Sequence, residues 1–198
     1  MLLTDDQDAA ARVRKWSTQA RDDAPWYQHS ELGFNYRMSN ILAGIGRGQF
    51  LHLEEHIAQK RAIYLRYQEG LKDLPVKMNP YLPEQMKPNY WLSCILIDED
   101  AMCSQTRTET QATYESVSGK SCPTQILEQL SEINVEGRPI WKPMHMQPLF
   151  RECEFISMKD GCDVGADVFH RGLCLPSDNK ITEQQQEIII SVIHSCFY

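Results

Sequence analysis

The segment Gly33–Ile41 has the sequence G-F-N-Y-R-M-S-N-I and leads into the longest helical pattern of the chain. Ser39 is well placed to cap that helix, because a serine side chain accepts hydrogen bonds from the free N–H groups of a first turn. Apolar residues then recur mostly at spacings of three, four and seven, which predicts a helix with one apolar face. They are Leu42, Ile45, Leu53, Ile57, Tyr64, Tyr67 and Leu71.

An unbroken helix from Ser39 to Leu71 would be about 50 Å long, which exceeds the size of a compact domain of this length. We therefore expect the helix to bend or to link two domains. Gly44, Gly46 and Gly48 weaken its first turns by up to about 1 kcal/mol each relative to alanine. Their spacing does not match G-x-G-x-x-G and no strand precedes them. They therefore indicate a kink or a close helix contact rather than a phosphate-binding loop.

The chain before this segment predicts a strand end, a helix and a loop. Met1–Thr4 is apolar, is followed at once by two aspartates, and reads as the end of a strand. Asp6 is the predicted N-cap of a helix that runs to about Thr18. The polar and aromatic segment Arg21–Leu32 is expected to be an ordered loop.

The chain after the long helix has the pattern of a small α+β domain, which we place from about Leu74 to Tyr198. Several prolines first interrupt helix formation in a linker-like stretch. Gln105–Ser116 is polar and only weakly helical. The predicted strands are Tyr90–Ile97, Arg138–Trp141 and Leu173–Leu175, and the predicted helices begin at Pro123 and at Thr182, which forms a capping box with Gln185.

The composition excludes several classes of protein. With 198 residues, of which 42% are hydrophobic and 24% charged, the chain is neither collagen-like nor disordered. A formal charge of -7 argues against a nucleic-acid partner, since such binding depends on lysine and arginine neutralising phosphates. No apolar run approaches the ~20 residues of a membrane helix, and the N-terminus lacks the features of a signal peptide. We expect no membrane association and a cytoplasmic location.

The seven cysteines and six histidines offer few metal-binding patterns. No two cysteines are spaced as C-x-x-C, so we expect reduced, mostly buried thiols rather than disulfides or a zinc site. His52 and His56 are the first and last residues of H-L-E-E-H, which has the order of an inverted zincin motif. A metal site would need a third ligand, so a solvated helix face is the favoured interpretation. His145 lies in the proline-bounded loop Lys142–Pro148 and is a candidate ligand-binding residue.

Four features in order along the chain resemble the DegT/StrS family of pyridoxal-phosphate-dependent sugar aminotransferases. Gly33–Ile41 is similar to the family signature G-[YF]-N-Y-R-M-[ST], and the long helix follows it as in the family. Arg138–His145 is similar to the family's R-x-x-[YFW]-x-P-[LM]-H strand and loop, and Arg171–Ser177 to its late G-L-x-L-P-S strand. The resemblance covers nearly the whole chain.

The resemblance implies the C-terminal half of a fold type I pyridoxal-phosphate enzyme. Residues 1–50 would be a remnant of the large cofactor-binding domain. Residues 51–198 would form a long linking helix and a small C-terminal α+β domain with a short antiparallel sheet. Met1–Asp6 resembles a family strand entered partway, and the family's Schiff-base lysine lies before that point. No lysine of this chain stands in the matching context, so we expect a truncated enzyme that is inactive alone.

The resemblance also implies the residues of a site formed between the subunits of a dimer. Asn35 would donate its amide to the phosphate of pyridoxal phosphate in the neighbouring subunit's site. A guanidinium can bind a diphosphate bidentately. The residues implied to contact the nucleotide-sugar are Tyr36, Arg37, Arg138, Lys142 and His145. The implied partners are a second copy or a missing N-terminal half, and glutamate is the usual amino donor.

Two other hypotheses belong to different functional classes. The chain could be a non-catalytic dimerisation or interaction module, in which the long helix and the loop Trp26–Arg37 expose apolar surface. It could also be a small metal enzyme that uses His52 and His56.

Overall fold

The computed structural model describes residues 2–82, 84–108, 110–159 and 161–198. The chain divides into two compact units, of which the first ends at Leu53 and the second runs from Glu54 to Tyr198. Helices and small antiparallel sheets make up the fold, which confirms the predicted α+β class. Within the described residues, no helix is long and apolar enough to cross a membrane.

The first unit contains two helices joined by a loop. α1 (Gln7–Ser17) begins after Asp6, as predicted, because the Asp6 carboxylate accepts two backbone N–H groups of the first turn at 2.9 and 3.0 Å. α2 (Asn40–Phe50) begins after Ser39, whose hydroxyl accepts a backbone N–H of the first turn at 3.3 Å. Among the described residues, 2–4 form no strand, since a strand needs a neighbour for its backbone hydrogen bonds. Met1 lies outside the described residues.

One long helix is predicted for residues 39–71, but the structure has two. α2 ends at Phe50, and α3 (Leu53–Gly70) begins after a turn. In that turn the N–H of His52 donates to the carbonyl of Gln49 at 3.1 Å. This bond joins residues three apart, as in a 3-10 turn, and so interrupts the α-helical hydrogen bonds between residues four apart. The break expected in the long helix therefore lies directly after α2.

The second unit contains a four-stranded antiparallel sheet with the spatial order β1–β2–β6–β5, and a separate hairpin of β3 and β4. Its elements after α3 are β1 (Val76–Met78), β2 (Ser93–Ile97), β3 (Gln105–Arg107), β4 (Ala112–Tyr114), α4 (Pro123–Glu132), β5 (Arg138–Pro139), α5 (Val164–Arg171), β6 (Gly172–Leu175) and α6 (Glu183–Ser195). α6 begins with the predicted capping box of Thr182 and Gln185.

The hydrophobic core of the second unit is formed by α3, α4, α6 and the two central strands of the sheet. The apolar residues of α4 and α6 lie four positions apart, which turns one face of each helix into this core. Tyr67 is fully buried, and its hydroxyl donates to the carbonyl of Pro176 at 2.8 Å. Other fully buried members are Leu71, Ile95, Ile97, Ile126, Leu130, Leu173, Ile189 and Ile193.

Several sequence-based expectations for the second unit are wrong. The segment Gln105–Ser116, expected to be weakly helical, instead contains the paired strands β3 and β4, in which Thr106 lies opposite Thr113; paired threonines favour the pleated backbone. The strand expected from Tyr90 begins only at Ser93. Tyr90 has a φ of 52°, and this left-handed backbone is incompatible with a strand. The sequence pattern predicts neither β1 nor α5.

Candidate functional site

His145 lies in a loop that starts at the edge of the main sheet. β5 pairs with β6, which places Arg138 opposite Cys174. The chain then passes through Pro143 into the short 3-10 helix Met144–Met146. Pro143 restricts the backbone at the start of this turn, which limits the positions that the imidazole of His145 can take.

The imidazole of His145 contacts a carboxylate that the sequence analysis did not single out. His145 Nε2 lies 2.6 Å from Oδ2 of Asp163, the N-cap of α5. The other carboxylate oxygen, Oδ1, accepts the N–H of Ala166 at 2.9 Å. The Ala166 N–H, and then the His145 ring, hold the pKa of Asp163 below its ordinary value of 3.8. One aspartate therefore caps a helix and orients a histidine.

The contact with Asp163 leaves one ring nitrogen of His145 for other chemistry. A carboxylate only accepts, so Nε2 carries a proton, and Nδ1 accepts when the ring is neutral and donates when it is charged. Nδ1 has no hydrogen-bond partner among the described residues. The ring of Phe155 stacks on the imidazole at a centroid distance of 3.8 Å and an interplanar angle of 19°. With a side chain that is 22% exposed, His145 is oriented and still accessible.

Arg138 lines a cavity of about 440 Å³ next to β5. Trp91 and Trp141 form part of its wall, with ring centroids 6.1 Å apart. Arg138 Nη2 lies 2.8 Å from a carboxylate oxygen of Glu136, and both side chains are about three-quarters exposed. Such exposed pairs contribute only about 0–1 kcal/mol, so the guanidinium can exchange this partner for a ligand.

Lys142 lines a different cavity, of about 660 Å³, which also contains Arg107 and His170. The rest of the wall is formed by residues of the β3–β4 hairpin, α4 and α5, together with Pro139 and Met146. The three candidates of the second unit are thus distributed: Arg138 and Lys142 line separate cavities, and His145 contacts Asp163 and Phe155.

Asn35 lies in the first unit, in a segment held by backbone hydrogen bonds to the end of α1. The N–H of Phe34 donates to the carbonyl of Trp16 at 2.7 Å, and Asn35 forms an isolated β-bridge with Thr18. Gly33 permits this close approach, because an added Cβ would lie 2.3 Å from the backbone nitrogen of Ala20. The side chain of Asn35 is exposed.

Tyr36 and Arg37 follow Asn35 and are both exposed. The ring of Tyr36 stacks on Phe34 at a centroid distance of 5.1 Å. Arg37 lines a shallow cavity of about 580 Å³ that also contains Asp22 and Tyr27. The three consecutive candidates of the first unit therefore share one exposed segment.

The cysteines are all free, and two of them are neighbours in the sheet. The Sγ atoms of Cys94 and Cys174 lie 3.6 Å apart on paired strands. The hydrogen bond from the Cys94 thiol raises its own pKa and lowers the pKa of Cys174. The described residues contain no group of three histidine, cysteine or acidic side chains that could hold a metal ion.

Sequence reasoning missed Asp163 and Arg107. A usable signal existed for Asp163, because an aspartate before Val164–Arg171 is a typical N-cap. No local signal marks Arg107, whose position depends on the hairpin and on α5.

Comparisons with known proteins agree on one family. The family model described as DegT/DnrJ/EryC1/StrS aminotransferase matches residues 1–194. The chain is 38% identical to the "Putative pyridoxal phosphate-dependent aminotransferase EpsN" of Bacillus subtilis, and the match covers 100% of this chain and 46% of that relative. It is 27% identical to GDP-perosamine synthase of Caulobacter vibrioides, with coverages of 98% and 46%. The chain spans about half the length of the curated relatives it matches.

Solved structures show the same fold. A DegT/DnrJ/EryC1/StrS aminotransferase from Brucella abortus matches with a TM-score of 0.73 and 21% identity, over 98% of this chain and 45% of that chain. PseC of Helicobacter pylori, an aminotransferase involved in the biosynthesis of pseudoaminic acid, matches with a TM-score of 0.72 and 17% identity, over 98% of this chain and 47% of that chain. At these identities the likeness concerns the fold alone.

Proposed function

Because the chain belongs to the DegT/DnrJ/EryC1/StrS aminotransferase family, we propose that it is the C-terminal part of a pyridoxal-phosphate-dependent aminotransferase that acts on nucleotide-linked keto-sugars. The family match over residues 1–194 carries this proposal. The similarity to a GDP-perosamine synthase supports a nucleotide-sugar substrate. In this proposal residues 1–50 belong to the large domain, and residues 51–198 form the linking helix and the small domain.

Pyridoxal phosphate, when bound, supplies an electron sink through which an amino group is carried from donor to acceptor. The described side chains fit one part of a site for it. The amide of Asn35 is exposed, and an amide N–H suits a phosphate oxygen. Lys15, the lysine of the first unit, is instead paired with Asp22 at 3.1 Å and Glu31 at 2.7 Å. We therefore assign the phosphate contact to Asn35 and assign covalent attachment to a lysine of the other half.

The nucleotide-sugar contacts are assigned to exposed cations and to one oriented histidine. Arg37 and Arg138 can each bind a diphosphate bidentately, and Lys142 adds a point charge. Nδ1 of His145 can accept a hydrogen bond, because the Nε2 proton is directed at Asp163. Nδ1 is thus the atom that would accept a hydrogen bond from a sugar hydroxyl. The exposed ring of Tyr36 offers a surface for the sugar or the base.

The proposed partner is the missing N-terminal half, within a dimer. Within the described residues α2 buries none of its side chains, and an apolar surface of this kind marks an interface. Its exposed apolar residues are Ile41, Leu42, Ile45 and Phe50. We also propose a cytoplasmic location, which the free cysteines support, since thiols persist in a reducing compartment.

Reconstitution tests the proposed function. The chain is assayed alone, and then with a separately expressed N-terminal half of a family member, with pyridoxal phosphate, glutamate and a GDP-linked keto-sugar. We expect amino transfer only in the reconstituted pair. Turnover by the chain alone, or none in a pair shown by light scattering to associate, would contradict the proposal.

A matched pair of variants tests the role of Asn35 in the reconstituted enzyme. Asn35→Asp places a negative charge at the phosphate contact and should weaken binding of pyridoxal phosphate in equilibrium dialysis. Asn40→Asp changes another exposed amide, at the start of α2, and should leave cofactor binding unchanged. Equal binding by both variants would remove Asn35 from the site.

A further inference from the structure

The cavity enclosed by the β3–β4 hairpin, α4 and α5 differs in charge from the rest of the molecule. Its wall includes Arg107, Lys142 and His170, and the described residues that line it include no aspartate or glutamate. The chain as a whole carries a formal charge of -7. A cavity lined by cations in an acidic protein attracts anions.

Arg107 is the central charge of this cavity. Its Nη1 donates to the backbone carbonyl of Phe169 at 2.8 Å, and its Cζ lies 5.0 Å from the centre of the Phe169 ring. Its Nη2 is buried and has no hydrogen-bond partner among the described residues. Burial lowers the pKa of Arg107. The guanidinium is thus fixed in place, and none of the described carboxylates forms an ion pair with it.

The carboxylates of the neighbouring helix already have other partners. On α5, Asp167 Oδ1 accepts from Nε of Arg171 at 2.6 Å. Asp163, the N-cap of the same helix, contacts His145. Neither carboxylate lines the cavity, so α5 contributes aromatic surface and a carbonyl to Arg107 but no counter-charge.

The walls of the cavity are tied together by side-chain hydrogen bonds. Thr124 on α4 donates to Oε1 of Gln105 at 2.8 Å. Nε2 of the same glutamine donates to the carbonyl of His170 on α5 at 2.6 Å. One side chain of β3 therefore links both helices, and the cavity is preformed rather than assembled around a ligand.

We propose that this cavity binds a phosphorylated small molecule, whose phosphate contacts Arg107 and Lys142. A guanidinium and an ammonium match phosphate oxygens, while Phe169 and Leu127 provide apolar surface for the organic part. The volume of about 660 Å³ lies within the range of small-molecule sites. This inference goes beyond the proposed aminotransferase, because the cavity is lined by neither Asn35 nor His145; Lys142 is common to both.

Calorimetric titration of the full chain with inorganic pyrophosphate tests the site. We expect binding that is weakened about tenfold or more in Arg107→Gln, which loses a charged hydrogen-bond donor. Gln111→Glu is a second variant that adds a carboxylate to the wall without removing a contact of Arg107, and it should also weaken binding. Arg12→Gln, which removes a charge from the exposed face of α1, should bind as the wild type does.

Titration with a sugar monophosphate then identifies the favoured ligand. Tighter binding than that of pyrophosphate is expected if the apolar wall contacts the organic part. Absence of binding to the wild type at millimolar concentrations of either probe would overturn the proposal. So would unchanged binding by folded Arg107→Gln and Gln111→Glu proteins, with folding checked by circular dichroism. Loss of binding in Arg138→Gln alone would instead assign the anion to the nucleotide-sugar site and reject this cavity.

Discussion

His145 Nε2 lies 2.6 Å from Asp163 Oδ2, and this contact joins the loop after β5 to the N-terminus of α5. The aspartate also accepts the N–H of Ala166, so a single side chain stabilises the helix start and sets the orientation of the imidazole. A change at Asp163 is therefore expected to affect both stability and the proposed substrate contact.

Asp163→Asn should remove an acid-sensitive part of the stability. Its carboxylate has a lowered pKa in the folded protein, so its contribution is present above its ordinary value of 3.8 and is lost as the pH falls through the folded value. Asparagine still caps the helix. Urea midpoints measured across a pH series should therefore differ most at neutral pH and converge in acid. Asp5→Asn, at an exposed aspartate, is the control; a constant difference across all pH values would contradict the prediction.

Cys94 and Cys174 should form a disulfide under mild oxidation. The backbone carbonyl of Cys94 accepts the N–H of Asn79 at 3.0 Å, and the backbone N–H of Cys94 donates to Oδ1 of Asn79 at 2.8 Å. Cys94 and Cys174 are therefore a non-hydrogen-bonded pair, the closer type of antiparallel pair. A small-molecule disulfide would accept two electrons and two protons from these thiols and leave as two thiols.

Mass spectrometry after proteolytic digestion checks this prediction. The expected product is a pair of cross-linked peptides whose mass is two hydrogens less than the sum of the two free peptides. Cys94→Ser should prevent the cross-link. The exposed Cys153 and Cys162 provide the comparison, because they should react singly with an alkylating reagent. A product in which Cys174 is instead joined to either of them would show that the sheet opens before oxidation.

Tyr67→Phe should destabilise the second unit. The hydroxyl of Tyr67 is buried and donates to the carbonyl of Pro176. Its loss should lower the free energy of unfolding by about 0.5–1.5 kcal/mol, measured by urea denaturation. Tyr198→Phe removes a hydroxyl from a side chain that is 84% exposed and should be neutral; equal effects of the two changes would contradict this account.

Gly33→Ala and Gly44→Ala should have opposite effects on the first unit. A Cβ at Gly33 would clash with the backbone of Ala20 at 2.3 Å, whereas a Cβ at Gly44 would meet no atom within 4 Å. Overpacking of this kind costs about 1–3 kcal/mol, while alanine in a helix stabilises by up to about 1 kcal/mol. Hydrogen exchange should accelerate around the segment before α2 in the first variant and slow within α2 in the second. Faster exchange in both would contradict the prediction.

The parts of the fold that the sequence predicts correctly are governed by local interactions. The caps at Asp6, Ser39 and Thr182 each depend on a side chain and on backbone groups at most three residues away. The expectations that failed depend on distant residues. The β3–β4 hairpin is held against α5 by Arg107, and Tyr90 packs in a left-handed conformation beside Tyr64 and Tyr81.

The candidate site shows the same division. The proline-bounded loop singled out His145, but not its carboxylate partner, which lies 18 residues further along the chain. The family resemblance, and no local pattern, points to the three cations Arg37, Arg138 and Lys142. They line three different cavities, and their assignment to a nucleotide-sugar stays a prediction.

The sequence by itself determined the helix starts, the α+β class and the family motifs, since these depend on side-chain chemistry at short and regular spacings. Only the tertiary structure decided which groups meet. The contact of His145 with Asp163, the pairing of Cys94 with Cys174 across 80 residues, and the contact of Arg107 with Phe169 all depend on how the strands and α5 pack. Distances between residues far apart in the chain are set by the packing of the core, and no local pattern encodes them.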